Sequence, residues 1–216
     1  MPKTCVLFDF DGVIANTESR NAAYLGRALR QYGIVLSDAD RQAMIGVNDR
    51  TVLADLLARA GAPIAPEAFL EARRRLGNSY EDGSIRPMPG VRKLLCSIRG
   101  AGLKIGLVSS TSTRLIIAAL NHMDMIRLFD GIVCGDMVER HKPEPDAYQL
   151  AMRFLGVRPE ECVVIEDSTV GIHAGHAAGA FVIAYRGSGI AQDVHEADCV
   201  MNNFSEYFSL AEKYIL

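Results

Sequence analysis

The sequence predicts an α/β protein: a doubly wound, Rossmann-like parallel sheet interrupted by one all-helical insertion. Three observations carry this. Short β-rich runs that are apolar almost throughout recur along the chain, as parallel strands buried on both faces require. Segments with apolar residues at spacings of three and four separate them, several with a glycine placed as the helix stop. One long interval, 17–86, breaks the alternation and holds helical patterns only.

Taken in order, the strand-like runs are 4–10 (TCVLFDF), 103–108 (LKIGLV), 131–134 (GIVC), 162–166 (CVVIE) and 180–184 (AFVIA). Helical periodicity fills 90–101, 112–121, 145–156 and 169–179, with Gly102, Gly156 and Gly179 as stops, and 203–216 reads as a closing helix. Repeated β-α of this kind builds a parallel sheet with helices on both faces. Inside 17–86 the helical patterns fall at roughly 18–32, 38–44, 49–60 and 66–80. The chain leaves the sheet just after Gly12-Val13-Ile14 and returns through Arg86-Pro87-Met88-Pro89-Gly90, where two prolines stiffen the re-entry. The expected organisation is a core of 1–16 with 87–216, and an insertion of 17–86.

With 216 residues, 49% hydrophobic and 23% charged, the chain has the composition of a folded globular protein. A formal charge of -3 leaves no electropositive footprint, so nucleic acid is not an expected partner. The five cysteines, Cys5, Cys96, Cys134, Cys162 and Cys199, include no Cys-x-x-Cys pair and read as buried thiols in a reducing compartment. Asp9 interrupts the first apolar run, which is too short for a signal peptide or a membrane span, and no later run reaches spanning length. A cytoplasmic protein with no membrane partner is expected, as a monomer or weak dimer.

In open α/β sheets ligands bind beyond the carboxyl ends of the strands, so the residues following each strand carry the functional reading. After the first comes Asp9-Phe10-Asp11-Gly12, two carboxylates separated by one residue; they form either an acidic turn or one edge of a ligand site. After the second comes Ser109-Ser110-Thr111-Ser112, a hydroxyl cluster that serves either as a plain helix N-cap or as an anion site. After the third, Lys142 stands beside Pro143 and Pro145 in a chain with only five lysines against 18 arginines. A compact ammonium there suits a phosphoryl group. The fourth strand ends in Glu166-Asp167-Ser168, with Gly171 opening the next helix. Singly each segment has a bland alternative. Together they place Asp9, Asp11, Glu166 and Asp167 around one hard-cation site, with Ser109 and Lys142 around one anion, and Mg²⁺ is the ion that uses oxygen ligands beside a phosphate.

These residues resemble the haloacid dehalogenase superfamily of aspartyl-nucleophile phosphotransferases, in the branch holding β-phosphoglucomutase and small sugar-phosphate phosphatases. Phe8-Asp9-Phe10-Asp11-Gly12-Val13-Ile14 looks like its first motif and Leu107-Val108-Ser109-Ser110 its second. Lys142-Pro143-Glu144-Pro145-Asp146 looks like the third, and Val164-Ile165-Glu166-Asp167-Ser168-Thr169-Val170-Gly171-Ile172 the fourth. The insertion at 17–86 matches the position of that family's mobile helical cap. The resemblance implies that Asp9 attacks phosphorus and becomes a transient phosphoaspartate, and that Asp11 is the acid and base of the two steps, its carbonyl helping to hold Mg²⁺. It also implies that Ser109, Ser110 and Lys142 bind the phosphoryl oxygens, and that Asp9, Asp11, Asp167 and Glu166 surround Mg²⁺.

Departures narrow the subtype. Asp11 is present, whereas carbon–halogen dehalogenases lack this acid, and 17–86 contains no lysine for the Schiff base of phosphonoacetaldehyde-cleaving relatives. β-Phosphoglucomutases resemble the chain throughout but carry a histidine shortly after the first motif and a lysine in the cap's substrate loop. Here Asn21 stands where the histidine would, and the loop Met44-Ile45-Gly46-Val47-Asn48-Asp49-Arg50 offers arginine alone. Gly46 and Arg50 are the cap candidates for substrate contact, although Arg50 reads equally as a solvated first-turn residue. The expected activity is Mg²⁺-dependent hydrolysis of a small phosphorylated metabolite, a sugar or sugar-acid phosphomonoester, with the mutase reaction as the alternative. A signalling receiver domain shares the ingredients but places its aspartate after a middle strand and carries no insertion.

Overall fold

A computed structural model describes residues 2–35, 37, 54, 57–58, 61 and 64–214. The chain divides into two compact units, Met1–Asn16 with Arg86–Leu216, and Thr17–Ile85. Among the described residues the first unit holds the strands β1 (Cys5–Phe8), β2 (Lys104–Val108), β3 (Gly131–Val133), β4 (Cys162–Glu166), β5 (Phe181–Tyr185) and β6 (Cys199–Met201). The second unit holds helices α1 (Glu18–Arg30) and α2 (Pro66–Arg75). The first holds α3 (Val91–Gly100), α4 (Thr113–His122), α5 (Asp146–Leu155), α6 (Thr169–Ala177) and α7 (Tyr207–Tyr214).

The six strands form one sheet in the order β3-β2-β1-β4-β5-β6, with every pairing parallel. Burial on both faces explains the apolar runs. Leu7, Val108, Val164 and Val182 turn to one face, where they pack against Tyr148, Ala151 and Leu155 of α5 and Ile172 and Ala174 of α6. The alternate residues Val6, Phe8, Ile105, Leu107, Val163, Ile165 and Ile183 are all fully buried too, and α3 packs against β2. On α3 itself Val91, Leu94, Leu95 and Ile98 are buried. Cys96 follows Leu95 by the 100° turn of one helical residue and is exposed. The expectation of uniformly buried thiols therefore fails at Cys96, and Cys199 on the edge strand β6 is half-buried.

Gly102, Gly156 and Gly179 do stand just past helices, with φ of 78, 61 and 83. Other boundaries differ from the sequence pattern. β1 stops at Phe8 instead of 10, because the chain turns sharply there: the amides of Ile14 and Ala15 both donate to the Phe10 carbonyl, at 3.0 and 2.9 Å. β6, a three-residue edge strand, has no counterpart among the predicted strands. α2 ends at Arg75 where 66–80 was expected, with Gly77 at φ 89 two residues on. The closing helix is split into a 3₁₀ turn, Phe204–Glu206, and α7. The expected helix at 38–44 lies outside the described residues; of 49–60 only Ala54, Leu57 and Ala58 are described, all helical.

In the second unit Leu25, Ala28 and Leu29 of α1 pack with Phe69 of α2, and the Tyr32 and Phe69 rings lie 5.9 Å apart. Tyr24 Oη donates to Asp82 Oδ2 at 2.6 Å. Among the described residues no helix is long and apolar enough to cross a membrane.

The position of β1 decides where ligands can bind. It is flanked by β2 and β4, with Phe8 level with Leu107 on one side and Ile165 on the other. The chain visits β2 and β3 on one side of β1 before crossing to β4, so β1 and β4 border the point where strand order reverses, the crevice such sheets use. Leu7 is fully buried at the centre of this arrangement. Leu7→Ala is predicted to cost about 2–5 kcal/mol, lowering Tm by roughly 5–15 °C, as thermal unfolding followed by circular dichroism would report.

Candidate active site

Register alone brings the first carboxylate to the fourth strand. The Asp9 amide continues the ladder by donating to the Ile165 carbonyl at 3.0 Å, so Asp9 stands beside Glu166 as the two strands end. Ser109 caps β2 on the other side, its amide bonded to Val133 O at 3.0 Å. The loop before α5 then delivers Lys142, which crosses over from the third strand's side. Its Nζ lies 2.6 Å from Asp9 Oδ1 and 2.6 Å from Glu166 Oε1, with a longer bond to Val108 O at 3.3 Å. The side chain is only 4% exposed, against 11% for Asp9 and 0% for Glu166.

Glu166 is the fixed member of the cluster. Oε1 accepts from Lys142 and from Tyr148 Oη at 3.0 Å. Oε2 accepts from the amides of Asp167 and Ser168 at 3.0 and 3.1 Å and from Ser168 Oγ at 3.0 Å. Ser168 also caps α6, its Oγ accepting from the Gly171 amide at 3.1 Å. A β-carbon on Gly171 would fall inside the Glu166 carboxylate, so glycine is what lets the helix start over the charge. Gly12 is constrained twice over: its φ is +81, and a β-carbon there would meet the Asp167 carboxylate.

Asp11 accepts from Thr111 Oγ1 at 3.2 Å, which ties the turn after β1 to the loop after β2. Ser109 is buried and its Oγ accepts from the Thr111 amide at 3.0 Å, whereas Ser110 is exposed. The hydroxyl run does not cap α4 as a plain N-cap would, since Ser112 makes no side-chain cap bond. Asp136 does so instead, accepting from Thr113 N at 2.9 Å and Thr113 Oγ1 at 2.7 Å. Asn21 falls on α1 in the other unit, and Gly46 and Arg50 lie outside the described residues. His173 is exposed and faces Glu196, Nδ1 to Oε2 2.7 Å.

Electrostatically the site is overfilled with negative charge. Burial pushes the Asp9 carboxyl well above the usual carboxylate range; Glu166, Asp167 and Asp11 push it the same way against the opposing pull of Lys142. Burial on its own would depress the Lys142 ammonium, but Asp9 and Glu166 outweigh it and hold that group well above the usual lysine value. Tyr185 is pushed up to about 12 by burial and then by the charge of Asp167. Asp9, Glu166 and Asp167 each offer an oxygen within 4.8 Å of the others. An excess of buried carboxylate oxygens over a single ammonium fits a hard divalent cation.

Two contacts of this site were not foreseen from the sequence: Thr111, named there as one of a hydroxyl run without a role of its own, bonds Asp11, and Tyr148, not named there, bonds Glu166. Tyr148 follows Lys142 by six residues and reads by pattern as a core position of α5, which it also is.

Residues 6–185 match the family of haloacid dehalogenase-like hydrolases, and the chain belongs to that family. It is 31% identical over 174 residues to the phosphorylated carbohydrates phosphatase of Thermotoga maritima, covering 81% of each chain. It is 30% identical to the fructose-1-phosphate phosphatase YqaB of Escherichia coli, covering 81% of this chain and 92% of that one. Among solved structures, a HAD family hydrolase of Deinococcus radiodurans with bound phosphate and sodium superposes with a TM-score of 0.83 at 28% identity, covering 100% of this chain and 98% of that one.

Two predictions follow from the charge balance and the close helix start. Because the folded protein holds the Asp9 proton more tightly than the unfolded chain does, ionised Asp9 costs stability at pH values above its raised folded pKa. That cost fades as pH falls towards the ordinary carboxylate value. In chelator-treated protein Asp9→Asn is therefore expected to raise Tm at neutral pH, by roughly 2–4 °C per kcal/mol relieved, with the gap closing on acidification. Gly171→Ala is expected to lower Tm and displace the Glu166 carboxylate, and a crystal structure of the variant showing Glu166 still 2.6 Å from Lys142 would contradict this.

Proposed function

We propose that the protein is a Mg²⁺-dependent phosphatase of small phosphorylated carbohydrates that works through a phosphoaspartate on Asp9. The observation that carries this reading is the single ammonium of Lys142 held at 2.6 Å from both Asp9 and Glu166, at the mouth of the sheet's crevice and inside a cluster of carboxylates. A structural ion pair needs one partner on each side. A site prepared for a tetrahedral dianion needs a nucleophile, a cationic donor and surplus carboxylates for a metal, and these are what converge here.

An Asp9 oxygen attacks phosphorus while the bond to the ester oxygen breaks. Asp11, held by Thr111, gives its proton to the departing alkoxide. Water then attacks the acyl phosphate, Asp11 takes the proton it releases, and inorganic phosphate leaves with Asp9 regenerated. Lys142 and Ser109 hold phosphoryl oxygens through the inversion at phosphorus. Asp9, Asp167 and the Asp11 carbonyl would hold Mg²⁺, with Glu166 as the anchor of Lys142 and a secondary oxygen donor; the ion, when bound, offsets the repulsion between carboxylate nucleophile and phosphate. The helical unit Thr17–Ile85 is the cap in this reading, with Asn21, Gly46 and Arg50 as the residues that read the leaving group. The sugar-phosphate activities of the T. maritima and E. coli relatives support carbohydrate phosphates as the substrate class.

The test is phosphate release from a panel of sugar and sugar-acid phosphates, with β-glucose 1-phosphate isomerisation assayed alongside. Wild type is expected to hydrolyse at least one, to lose activity in chelator and to regain it with Mg²⁺. Asp9→Asn is expected to be down by roughly three orders of magnitude or more, as for loss of a covalent nucleophile. Near-normal turnover by Asp9→Asn would defeat the mechanism, and isomerisation outpacing phosphate release would assign the mutase reaction instead.

A further inference from the structure

We infer that Tyr148 is a positioning residue of this site, setting how tightly Lys142 is held by Glu166 and therefore how freely its ammonium turns to a phosphoryl oxygen; this rests on the phosphatase reading above. An ammonium has three N–H donors. Those of Lys142 have three acceptors: Asp9 Oδ1 at 2.6 Å, Glu166 Oε1 at 2.6 Å and Val108 O at 3.3 Å. Lys142 is therefore saturated before substrate arrives, and binding a phosphoryl oxygen requires it to loosen one of these contacts.

Tyr148 touches both partners of the Lys142–Glu166 contact. Its hydroxyl donates to the same Glu166 Oε1 at 3.0 Å, and its ring centroid lies 4.9 Å from Lys142 Nζ. The two act in concert. A second donor on Oε1 takes up part of the charge that would otherwise bind the ammonium alone, so the ion pair is weaker than it would be without the hydroxyl. The ring face offers the cation a substitute contact once it swings away.

The residue is also built to stay put. Tyr148 is fully buried, on the first turn of α5, packed in the same cluster as Leu7 and Val164. A buried hydroxyl gains nothing over a ring hydrogen in packing and costs desolvation unless bonded. Phenylalanine would fill the same space, so the hydroxyl is the part whose presence is explained by Glu166 and not by the core.

The experiment compares wild type, Y148F and Y148L in three measurements: Tm, the affinity for inorganic phosphate by calorimetry with and without Mg²⁺, and kcat and KM for the best phosphomonoester. Y148F keeps the ring but takes a donor from the buried Glu166 carboxylate, so its Tm is expected to fall by a few degrees at most, less than that of Y148L. Its phosphate affinity and kcat/KM are expected to fall by roughly 10- to 100-fold, the worth of a hydrogen bond to a charged group. Y148L loses the ring as well and is expected to melt lower and bind phosphate more weakly still. If Y148F matches wild type in phosphate affinity and kcat/KM while only Y148L is impaired, Tyr148 is a packing residue and the inference is overturned. A wild-type protein that neither binds phosphate nor hydrolyses any phosphomonoester overturns the reading of the site, and this inference with it.

Discussion

The sheet unit is built around one electrostatic constraint: three buried carboxylates with oxygens within 4.8 Å of one another share one ammonium. Two unit charges at about 4 Å repel by roughly 4 kcal/mol at the effective dielectric typical of protein sites, so the cluster has to be held together from outside. The holding is uneven. Glu166 is fully buried and takes five donors, which fixes its carboxylate in place. The Asp9 side chain is bonded to Lys142 and carries the raised pKa that marks an imperfectly answered charge. A group in that condition is poor as a structural element and suited to one whose charge is completed by a cation and a substrate.

The parallel sheet is what makes such crowding affordable. Adjacent strands end side by side, so a carboxylate at one tip and two at the next are neighbours without any long side chain having to reach. Close approach of backbone then does the rest, through Gly12 against Asp167 and Gly171 against Glu166. Removing a partner from a buried ion pair is far more damaging than never having had the pair. Lys142, Glu166 and Tyr148 are therefore best regarded as one unit, in which a change to any member is felt as an unanswered charge on another.

How much of this was legible in the sequence differs by kind of interaction. Strand ends were legible for β2 and β4, where Ser109 and Glu166 close the apolar run; the first run was read on to residue 10, whereas β1 stops at Phe8. The parallel architecture followed from the alternation of those runs with helical periods. Contacts between side chains far apart in the chain were not legible: Thr111 on Asp11 spans 100 residues, and Tyr148 looked like any apolar position on α5 because its ring does face the core. The partner of the α4 N-terminus was illegible for a similar reason. Ser112 has the right chemistry one residue before α4, yet Asp136, 23 residues away, makes the bonds. Edge strand β6 escaped because three residues, two half-buried and one buried, carry too little hydrophobic pattern to separate them from a loop.

The same division explains why the sheet unit defines a reaction and not a substrate. In the proposed reading its polar groups meet a phosphoryl group, which every phosphomonoester presents alike, so the cluster does not favour one leaving group over another. Discrimination between two sugars must come from hydrogen bonds made to their hydroxyls, since a site that leaves its own buried polar groups unpaired rejects the wrong ligand far more strongly than one lined by apolar contacts. Those bonds require side chains outside the cluster. The strand tips stay fixed by the charges they hold, whichever sugar the phosphate is attached to. Two proteins of this family could share every residue around Asp9 and still act on different sugars.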